Sequence, residues 1–172
     1  GPASQFDGDV LFIAPRLQLN GCTYGGTGTF EKSGVTDDGS SGGNVFTGVT
    51  TITNSSPNSI YLANGNRDQF LSSTTFNNTG GGRFYFAYSH NGQTTTFNSL
   101  TLNSNKSSGT DAWSFFMAEG ANTFVTFSGA LTLNNMGALQ SNCRFLNGGG
   151  STAVYGGLVT FNISNSNSST II

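Results

Sequence analysis

The feature that most constrains the fold is an internal repeat of paired apolar residues. In each repeat an aromatic residue is followed six positions later, and in one repeat five positions later, by a second aromatic or aliphatic residue. Side chains alternate between the two faces of a β-strand, so an even spacing places both members of a pair on one face. The pairs are Phe6/Phe12, Tyr24/Phe30, Phe46/Ile52, Phe70/Phe76, Phe97/Leu102 with the shorter spacing, Phe127/Leu133 and Tyr155/Phe161.

A second apolar group follows most of these pairs, after a short run of Asn, Ser, Thr and Gly. Such runs are typical of turns, because these residues accept the backbone conformations that turns need. Each repeat therefore predicts a strand, a turn, a second strand and a second turn. The second groups are Leu17/Leu19, Ile60/Leu62, Phe84/Phe86, Phe115/Met117 and Cys143/Phe145.

Repeats of this kind bury their apolar faces by stacking on one another. We predict an all-β fold, a right-handed parallel β-solenoid of about seven coils, in which like positions stack into columns. Phe97 should then lie in an aromatic column between Phe70 and Phe127. An antiparallel β-sandwich is the alternative, since it also has short strands at regular intervals. The solenoid is favoured because a sandwich does not need the same residue type at the same position of every repeat.

The solenoid is expected to form one domain over residues 6–172. Residues 1–5 are expected to be a leader outside it, because Gly1-Pro2 resembles the remnant of a cleaved expression tag. The array is expected to be part of a longer chain, in which neighbouring repeats cover its end coils.

Composition argues against several other classes of protein. Gly contributes 25 residues and no window has the apolar spacing of an amphipathic helix, which disfavours helical folds. The 15 Phe, 5 Tyr and 1 Trp disfavour disorder, because they supply apolar surface to bury. Six Lys and Arg are scattered along a chain of net charge −2, so we expect no nucleic-acid binding. No apolar run reaches the length of a membrane span, so we expect no membrane insertion.

Two outward rows are predicted on the face opposite the core. Thr and stacked Asn amides both gain from like neighbours in parallel strands, so a structural role is expected first. The first row is Thr29, Thr51, Thr75, Thr101, Thr132 and Thr160. Two residues further along each strand come Asn77, Asn103, Asn134 and Asn162, with Thr53 in the equivalent place.

A third outward row is aromatic. If the second apolar groups point inward, then Tyr61, Tyr85 and Phe116 point outward in three consecutive coils. Exposed, aligned aromatic rings stack on sugar rings or on a partner surface, so this row is a candidate binding site. The alternative is that neighbouring segments cover the rings, or that they form a ladder across the strands.

Few residues are suited to catalysis. The acidic residues do not recur at one position of successive repeats, and His90 lies in a predicted turn with no recognisable nucleophile or metal partner. We therefore predict no enzymatic activity and negligible turnover of polysaccharides. No cofactor is expected. Calcium is the metal best suited to Asp7-Gly8-Asp9 and Asp37-Asp38-Gly39, although both segments fit plain turns better.

Two segments carry a family resemblance. Residues 43–54 (GNVFTGVTTITN) and 127–135 (FSGALTLNN) resemble the degenerate repeats of very large surface adhesins, which gliding and related bacteria secrete through the type IX system. The resemblance extends from about residue 6 to residue 161. It implies an extracellular stalk at the cell surface that carries or presents adhesive regions, and it supplies no catalytic residue.

These features predict a non-enzymatic structural and adhesive segment of a bacterial cell-surface adhesin, with surface glycans or a solid substratum as partners. One alternative is an ice-binding β-solenoid that orders water on an outward Thr-x-Thr/Asn array, although Glu31 interrupts that array. A carbohydrate-binding or carbohydrate-active β-helix is the other alternative, and the scarcity of aligned acids disfavours the active form.

The two cysteines are predicted to be unpaired. Cys22 precedes the second repeat start, whereas Cys143 lies in the second strand of the sixth repeat. Four to five coils would separate them by about 19–24 Å at the usual strand spacing. A disulfide needs Cα atoms within about 7 Å of one another. Cys143 is expected to be a small core residue beside Phe145.

Overall fold

The computed structural model describes residues 3–89, 92–106, 113–135 and 142–164. Regular structure in these ranges consists of seventeen β-strands without a helix, and so without any helix able to cross a membrane. The strands are β1 Ser4–Phe6, β2 Val10–Ala14, β3 Cys22–Tyr24, β4 Gly28–Lys32, β5 Asp38–Gly39, β6 Val45–Phe46, β7 Thr50–Asn54, β8 Ile60–Tyr61, β9 Gln69–Asn78, β10 Phe84–Tyr85, β11 Thr94–Ser104, β12 Trp113–Phe116, β13 Phe124–Phe127, β14 Leu131–Asn135, β15 Asn142–Arg144, β16 Thr152–Tyr155 and β17 Val159–Ile163.

Two parallel ladders form one long sheet. The first ladder runs β1, β3, β6, β9, β11, β13 and β16, and the second runs β2, β4, β7, β9, β11, β14 and β17. Strands β9 and β11 are long enough to belong to both ladders. Every pairing between the described strands is parallel, which confirms the solenoid over the antiparallel sandwich. The first strand begins at Ser4, two residues before the predicted start of the domain.

A second parallel sheet closes the coils on the other side. It contains β5, β8, β10, β12 and β15, in that order across the described residues. About five coils are therefore closed by both sheets, whereas about seven were predicted. The difference arises because the first and last coils contribute strands to the long sheet only. Each coil contributes one rung to the long sheet, which is either one long strand or two short ones. The prediction counted all of these rungs as complete coils.

The core contains the predicted aromatic column. Each repeat-start residue pairs in register with the next one, from Phe6 through to Tyr155. The Phe97 ring stacks between those of Phe70 and Phe127, with centroids 4.7 and 5.5 Å away. Its exposed fraction is 1%. The predicted position of Phe97 is thus confirmed.

A second inner column runs beside the first. It joins Phe12 to Phe161 through five intermediate residues, one in each rung. Its middle members Ile52, Phe76 and Leu102 are fully buried. The rings of the two columns meet edge to face, as Phe70 and Phe76 do at 5.8 Å. This arrangement is favourable for aromatic pairs and fills the interior between the sheets.

A buried polar row borders the columns where the chain leaves the long sheet. Asn54 and Asn78 donate their side-chain N–H groups to carbonyl oxygens of Asn58 and Gly82, at 2.9 and 2.8 Å. Lys32 is in register with Asn54, fully buried, and bonded to the hydroxyl of Ser56 at 2.8 Å. The two amide bonds supply donors to carbonyl oxygens of the turns, and the Lys32 bond supplies one to a turn hydroxyl.

Candidate functional site

The outer face of the long sheet carries the predicted threonine row. Each Thr pairs in register with the Thr of the next rung, and all six are half-buried. Leu11 occupies the same position in the first rung. Since neighbouring rungs are about 4.8 Å apart, the hydroxyls form a regular line along the solenoid. The row is Thr29, Thr51, Thr75, Thr101, Thr132 and Thr160.

The neighbouring row is a hydrogen-bonded ladder of side-chain amides. The Nδ2 of Asn103 donates to Oδ1 of Asn77 at 2.9 Å, and Asn134 donates to Asn103 at 2.8 Å. Asn162 donates to Asn134 at 2.8 Å, and Asn77 donates to the Thr53 hydroxyl at 3.4 Å. In each of these bonds the side-chain amide donates to the residue of the preceding coil, so all four donors point toward the N-terminal end of the solenoid. An amide in the middle of the ladder still has a second N–H and a second oxygen lone pair for a ligand or water.

A groove of about 500 Å³ follows the amide ladder. Its walls are four ladder residues, from Thr53 to Asn134, together with Thr79, Ser104 and Asn105. All of these described lining side chains are uncharged. Glu31 precedes Thr53 in the ladder and accepts a hydrogen bond from the Ser55 hydroxyl at 2.7 Å. The groove therefore offers neutral hydrogen-bond donors and acceptors, which suits hydroxyl-rich ligands.

The groove residues Thr79 and Asn105 were not predicted from the sequence. Each lies two positions after a ladder residue, Asn77 or Asn103, so it continues the outward alternation beyond the end of the strand. That alternation was the available signal. Both residues lie beyond the predicted strand ends, where a turn was expected.

The predicted aromatic row is aligned but largely covered. Tyr61, Tyr85 and Phe116 pair in register, and successive rings stack with centroids 4.5 and 4.6 Å apart. Tyr61 is partly exposed, whereas Tyr85 and Phe116 expose only 6% and 3%. Tyr85 and Phe116 therefore do not offer the exposed rings on which a binding role would depend. The row forms the cross-strand ladder that was the alternative.

Flanking side chains cover this aromatic ladder. Tyr88 meets Tyr61 and Tyr85 edge to face, at 4.7 and 5.4 Å. The guanidinium groups of Arg83 and Arg144 lie 5.6 and 5.5 Å from the centre of the Phe116 ring. Cation–π contacts of this kind stabilise the outer surface of the second sheet. On Phe116 they also occupy ring surface that a sugar would need.

Three of the four acids in the two predicted calcium turns accept backbone hydrogen bonds from neighbouring coils, and Asp7 accepts one from the Gln5 side chain. Asp9 accepts from Thr27 N–H at 2.8 Å, and Asp37 accepts from Ser59 N–H at 2.7 Å. Asp38 is fully buried and accepts from Leu17 N–H at 3.0 Å. Within the described ranges, no three His, Cys, Asp or Glu side chains gather around a common point. His90 lies outside the described residues.

A buried carboxylate, Asp68, joins the second sheet to the long sheet. One oxygen accepts hydrogen bonds from the backbone and side-chain N–H groups of Asn44, at 2.9 and 2.8 Å. The other oxygen accepts from Ala63 N–H at 2.9 Å. Burial raises the pKa of Asp68 to about 6, because desolvation outweighs these three donors. Asp68 is therefore a structural connection between the two sheets.

Both cysteines are unpaired, as predicted. Cys143 is fully buried in the core, and Cys22 is half-buried at the start of β3. Burial raises the pKa of the Cys143 thiol, which keeps it protonated. Cys143 acts as a small apolar residue stacked on Phe115 of the preceding coil.

Searches against protein-family models, curated proteins and solved structures found no match to this chain. Its function must therefore be argued from its own residues.

Proposed function

We propose that this chain is a non-enzymatic structural and adhesive repeat segment of a bacterial cell-surface adhesin, displayed outside the cell. The observation that carries the proposal is the pair of outward Thr and Asn rows, which continue in register over successive rungs of one solenoid. A stack of coils of this kind is a stiff rod, because each coil is fixed by its neighbours on both sides.

The outward rows give this rod a repeated, neutral surface. Every rung except the first presents one hydroxyl in the Thr row, and most rungs present one amide beside it, at intervals set by the strand spacing. Individually weak contacts at such intervals add up when the partner is itself a repeating polymer or an extended surface. Surface glycans and solid substrata have this property, so they are the proposed partners. Neighbouring repeats of a longer chain would extend the rod.

Adhesion is tested with beads coated with the 172-residue chain. Their retention is measured under flow on a glycan array and on polar and apolar solid films. We expect retention on at least one neutral surface, and at least a tenfold loss for Thr101→Lys, which places a charge in the middle of the Thr row. The matched control is Val35→Lys, at a turn residue that is 75% exposed. Retention no better than that of bare beads, or equal loss in both variants, would contradict the adhesive role.

The non-enzymatic part of the proposal has its own assay. The chain is incubated with a panel of neutral and acidic polysaccharides, and the release of reducing ends and unsaturated products is followed. We expect no release above the buffer blank. Release that one acidic substitution abolishes would contradict the proposal and favour a carbohydrate-active β-helix.

Ice binding is the second candidate, and the line of six Thr in register is the observation that favours it. A regular hydroxyl array orders water along one direction. Glu31 interrupts the adjacent row near its N-terminal end, which counts against a continuous ice-binding face. Ice binding is tested by thermal hysteresis of the unmodified chain and the same two variants. Hysteresis that is lost in Thr101→Lys and kept in Val35→Lys would show that ice binding, and not adhesion, is the function.

A further inference from the structure

Both ends of the long sheet expose residues that are buried everywhere between them. In the second inner column Phe12 is 41% exposed and Phe161 is 42% exposed, whereas Ile52 and Phe76 are fully buried. In the first column Tyr155 is 37% exposed, while Phe127 is 1% exposed. The end rungs thus have the same inward residues as the middle rungs, but nothing among the described residues stacks on their outer side.

The described strands at these ends lack two usual protections of open sheet edges, charged side chains and proline. Natural edges are generally protected by charged side chains, proline, bulges or a covering segment. At the N-terminal edge β1 and β2 read SQF and VLFIA, and at the C-terminal edge β16 and β17 read TAVY and VTFNI. None of these four strands contains a charged residue or a proline. Unpaired backbone groups on such edges readily pair with another strand.

The C-terminal end also contains an apolar depression of about 230 Å³. It is lined by Phe145, Leu146, Ala153, Tyr155, Val159 and Phe161. Tyr155, Val159 and Phe161 are the inward residues of the last rung. The depression therefore lies where the inward residues of a following rung would stack.

We propose that two copies of this chain associate head to tail, with the C-terminal edge of one copy against the N-terminal edge of the next. β16 and β17 then pair in parallel with β1 and β2 of the second copy. Tyr155 stacks on Phe6, Val159 on Val10, and Phe161 on Phe12. The contact repeats the interface that already joins successive coils, for which the Phe127–Tyr155 stack at 5.1 Å is the nearest example.

A second copy fits this end because its first rung presents the required residues in the required order and direction. The N-terminal edge has Phe6, Val10 and Phe12 at the same relative positions as Tyr155, Val159 and Phe161. A two-fold arrangement of two C-terminal edges would make the strands antiparallel, and the two columns could not continue in register. The interface is therefore heterologous, so further copies can add at either free end. The inference rests on the ladders, and it uses the same edges on which neighbouring repeats of a longer chain would stack.

Sedimentation velocity tests the proposal with two blocked variants of the full chain. Phe12→Asp places a charge on the N-terminal edge only, and Phe161→Asp places one on the C-terminal edge only. We expect the average mass of the unmodified chain to rise with concentration and to pass beyond a dimer. Each blocked variant alone should be monomeric. An equimolar mixture should form 1:1 dimers and nothing larger, because one functional edge of each kind remains.

Circular dichroism of each variant shows whether the solenoid stays folded, and the matched control is again Val35→Lys, which should associate like the unmodified chain. If a charged variant unfolds, Ile13→Pro replaces Phe12→Asp, since it blocks the edge without placing a charge in the inner column. The proposal is overturned if the unmodified chain stays monomeric up to about 1 mM, a concentration that detects even weak association. Dimers of one blocked variant alone, or a monomeric mixture, overturn it equally.

Discussion

The ring of Phe70 lies flat on the ring of Phe97, with centroids 4.7 Å apart and planes 7° apart. The two residues begin repeats in which the paired apolar residues are spaced differently. Phe70 is followed by its partner Phe76 after six residues, whereas Phe97 is followed by Leu102 after five. A register shift between Phe97 and Ser99 absorbs the difference, so that Leu102 still pairs with Phe76. The inner columns are thus preserved while the strand between them is adjusted.

Truncation of a column residue should strongly destabilise the fold. We expect Phe97→Ala to lower the free energy of unfolding by about 3–5 kcal/mol, because it removes a fully buried ring and leaves a cavity. Leu71→Ala, at a 49% exposed position of β9, is the control and should change it by less than about 0.5 kcal/mol. Denaturant unfolding measures both. A loss below about 1 kcal/mol for Phe97→Ala would contradict the column.

A glycine at the turn between the two ladders of the long sheet should be irreplaceable. A β-carbon added at Gly48 would overlap the carbonyl oxygen of Gly26 in the preceding coil, whereas one at Gly8 has nothing within 4 Å. We expect Gly48→Ala to cost about 1–3 kcal/mol through overpacking, and Gly8→Ala to be neutral or slightly stabilising. Thermal and denaturant unfolding of the pair decide this. Equal stability of the two variants would mean that the coils are not packed backbone to backbone at Gly48.

Asp68 should make stability depend on pH. Its pKa is raised from 3.8 to about 6 in the folded state, so the folded chain binds the proton more tightly than the unfolded chain. The resulting stabilisation is complete below about pH 4 and is lost as the pH rises through 6. It amounts to about 3 kcal/mol at most.

The measurement is the difference in unfolding free energy between the unmodified chain and Asp68→Asn, taken from pH 4 to pH 7. The variant removes this titration while keeping the shape of the side chain. We expect the unmodified chain to lose unfolding free energy relative to Asp68→Asn as the pH rises. A difference that stays constant, or that shifts the other way, would show that the three N–H donors and not burial dominate the pKa of Asp68.

The long sheet could be predicted from the sequence because its signal is local and repeated. Residues such as Phe46 and Ile52 carry the even spacing themselves, and each rung repeats it, so both columns and the Thr row follow directly. The amide ladder has the same origin, since Asn77 and Asn103 lie two residues beyond the Thr row. Only the number of closed coils was overestimated, because the end rungs have the repeat but not the second-sheet strand.

The second sheet was harder to predict because its strands are short and its surface depends on distant side chains. Tyr85 and Phe116 point away from the core as expected, yet flanking residues such as Arg83 and Tyr88 cover them. Nothing in the local pattern indicates how a long Arg side chain folds over a neighbouring rung. The burial of Lys32 was missed for the same reason, since its partners lie in turns of its own and the next coil.

The two cysteines give a chemical test of the spacing between coils. Alkylation under denaturing, non-reducing conditions should label both Cys22 and Cys143, as read by the mass of the intact chain. In the folded chain Cys143 should stay unlabelled, because it is fully buried and protonated. Finding the intact chain unlabelled at both positions after denaturation would indicate an intramolecular disulfide, which this register cannot accommodate.

The register between adjacent coils is the central claim, and an engineered disulfide tests it most directly. Thr75 and Thr101 are partners in the adjacent parallel strands β9 and β11, and the pair lies after the register shift in β11. Their Cα atoms should be about 5 Å apart, within the range that a disulfide needs. Thr75 and Thr132 are two rungs apart, at about 10 Å, and serve as the control pair.

In a background with Cys22→Ser and Cys143→Ala, mild oxidation of the folded chain is followed by proteolysis and mass spectrometry. We predict that Thr75→Cys/Thr101→Cys forms the intramolecular cross-link nearly completely, and that Thr75→Cys/Thr132→Cys leaves both thiols free. Absence of the first cross-link in a chain that remains folded, or efficient formation of the second, would contradict the parallel register on which the whole account depends.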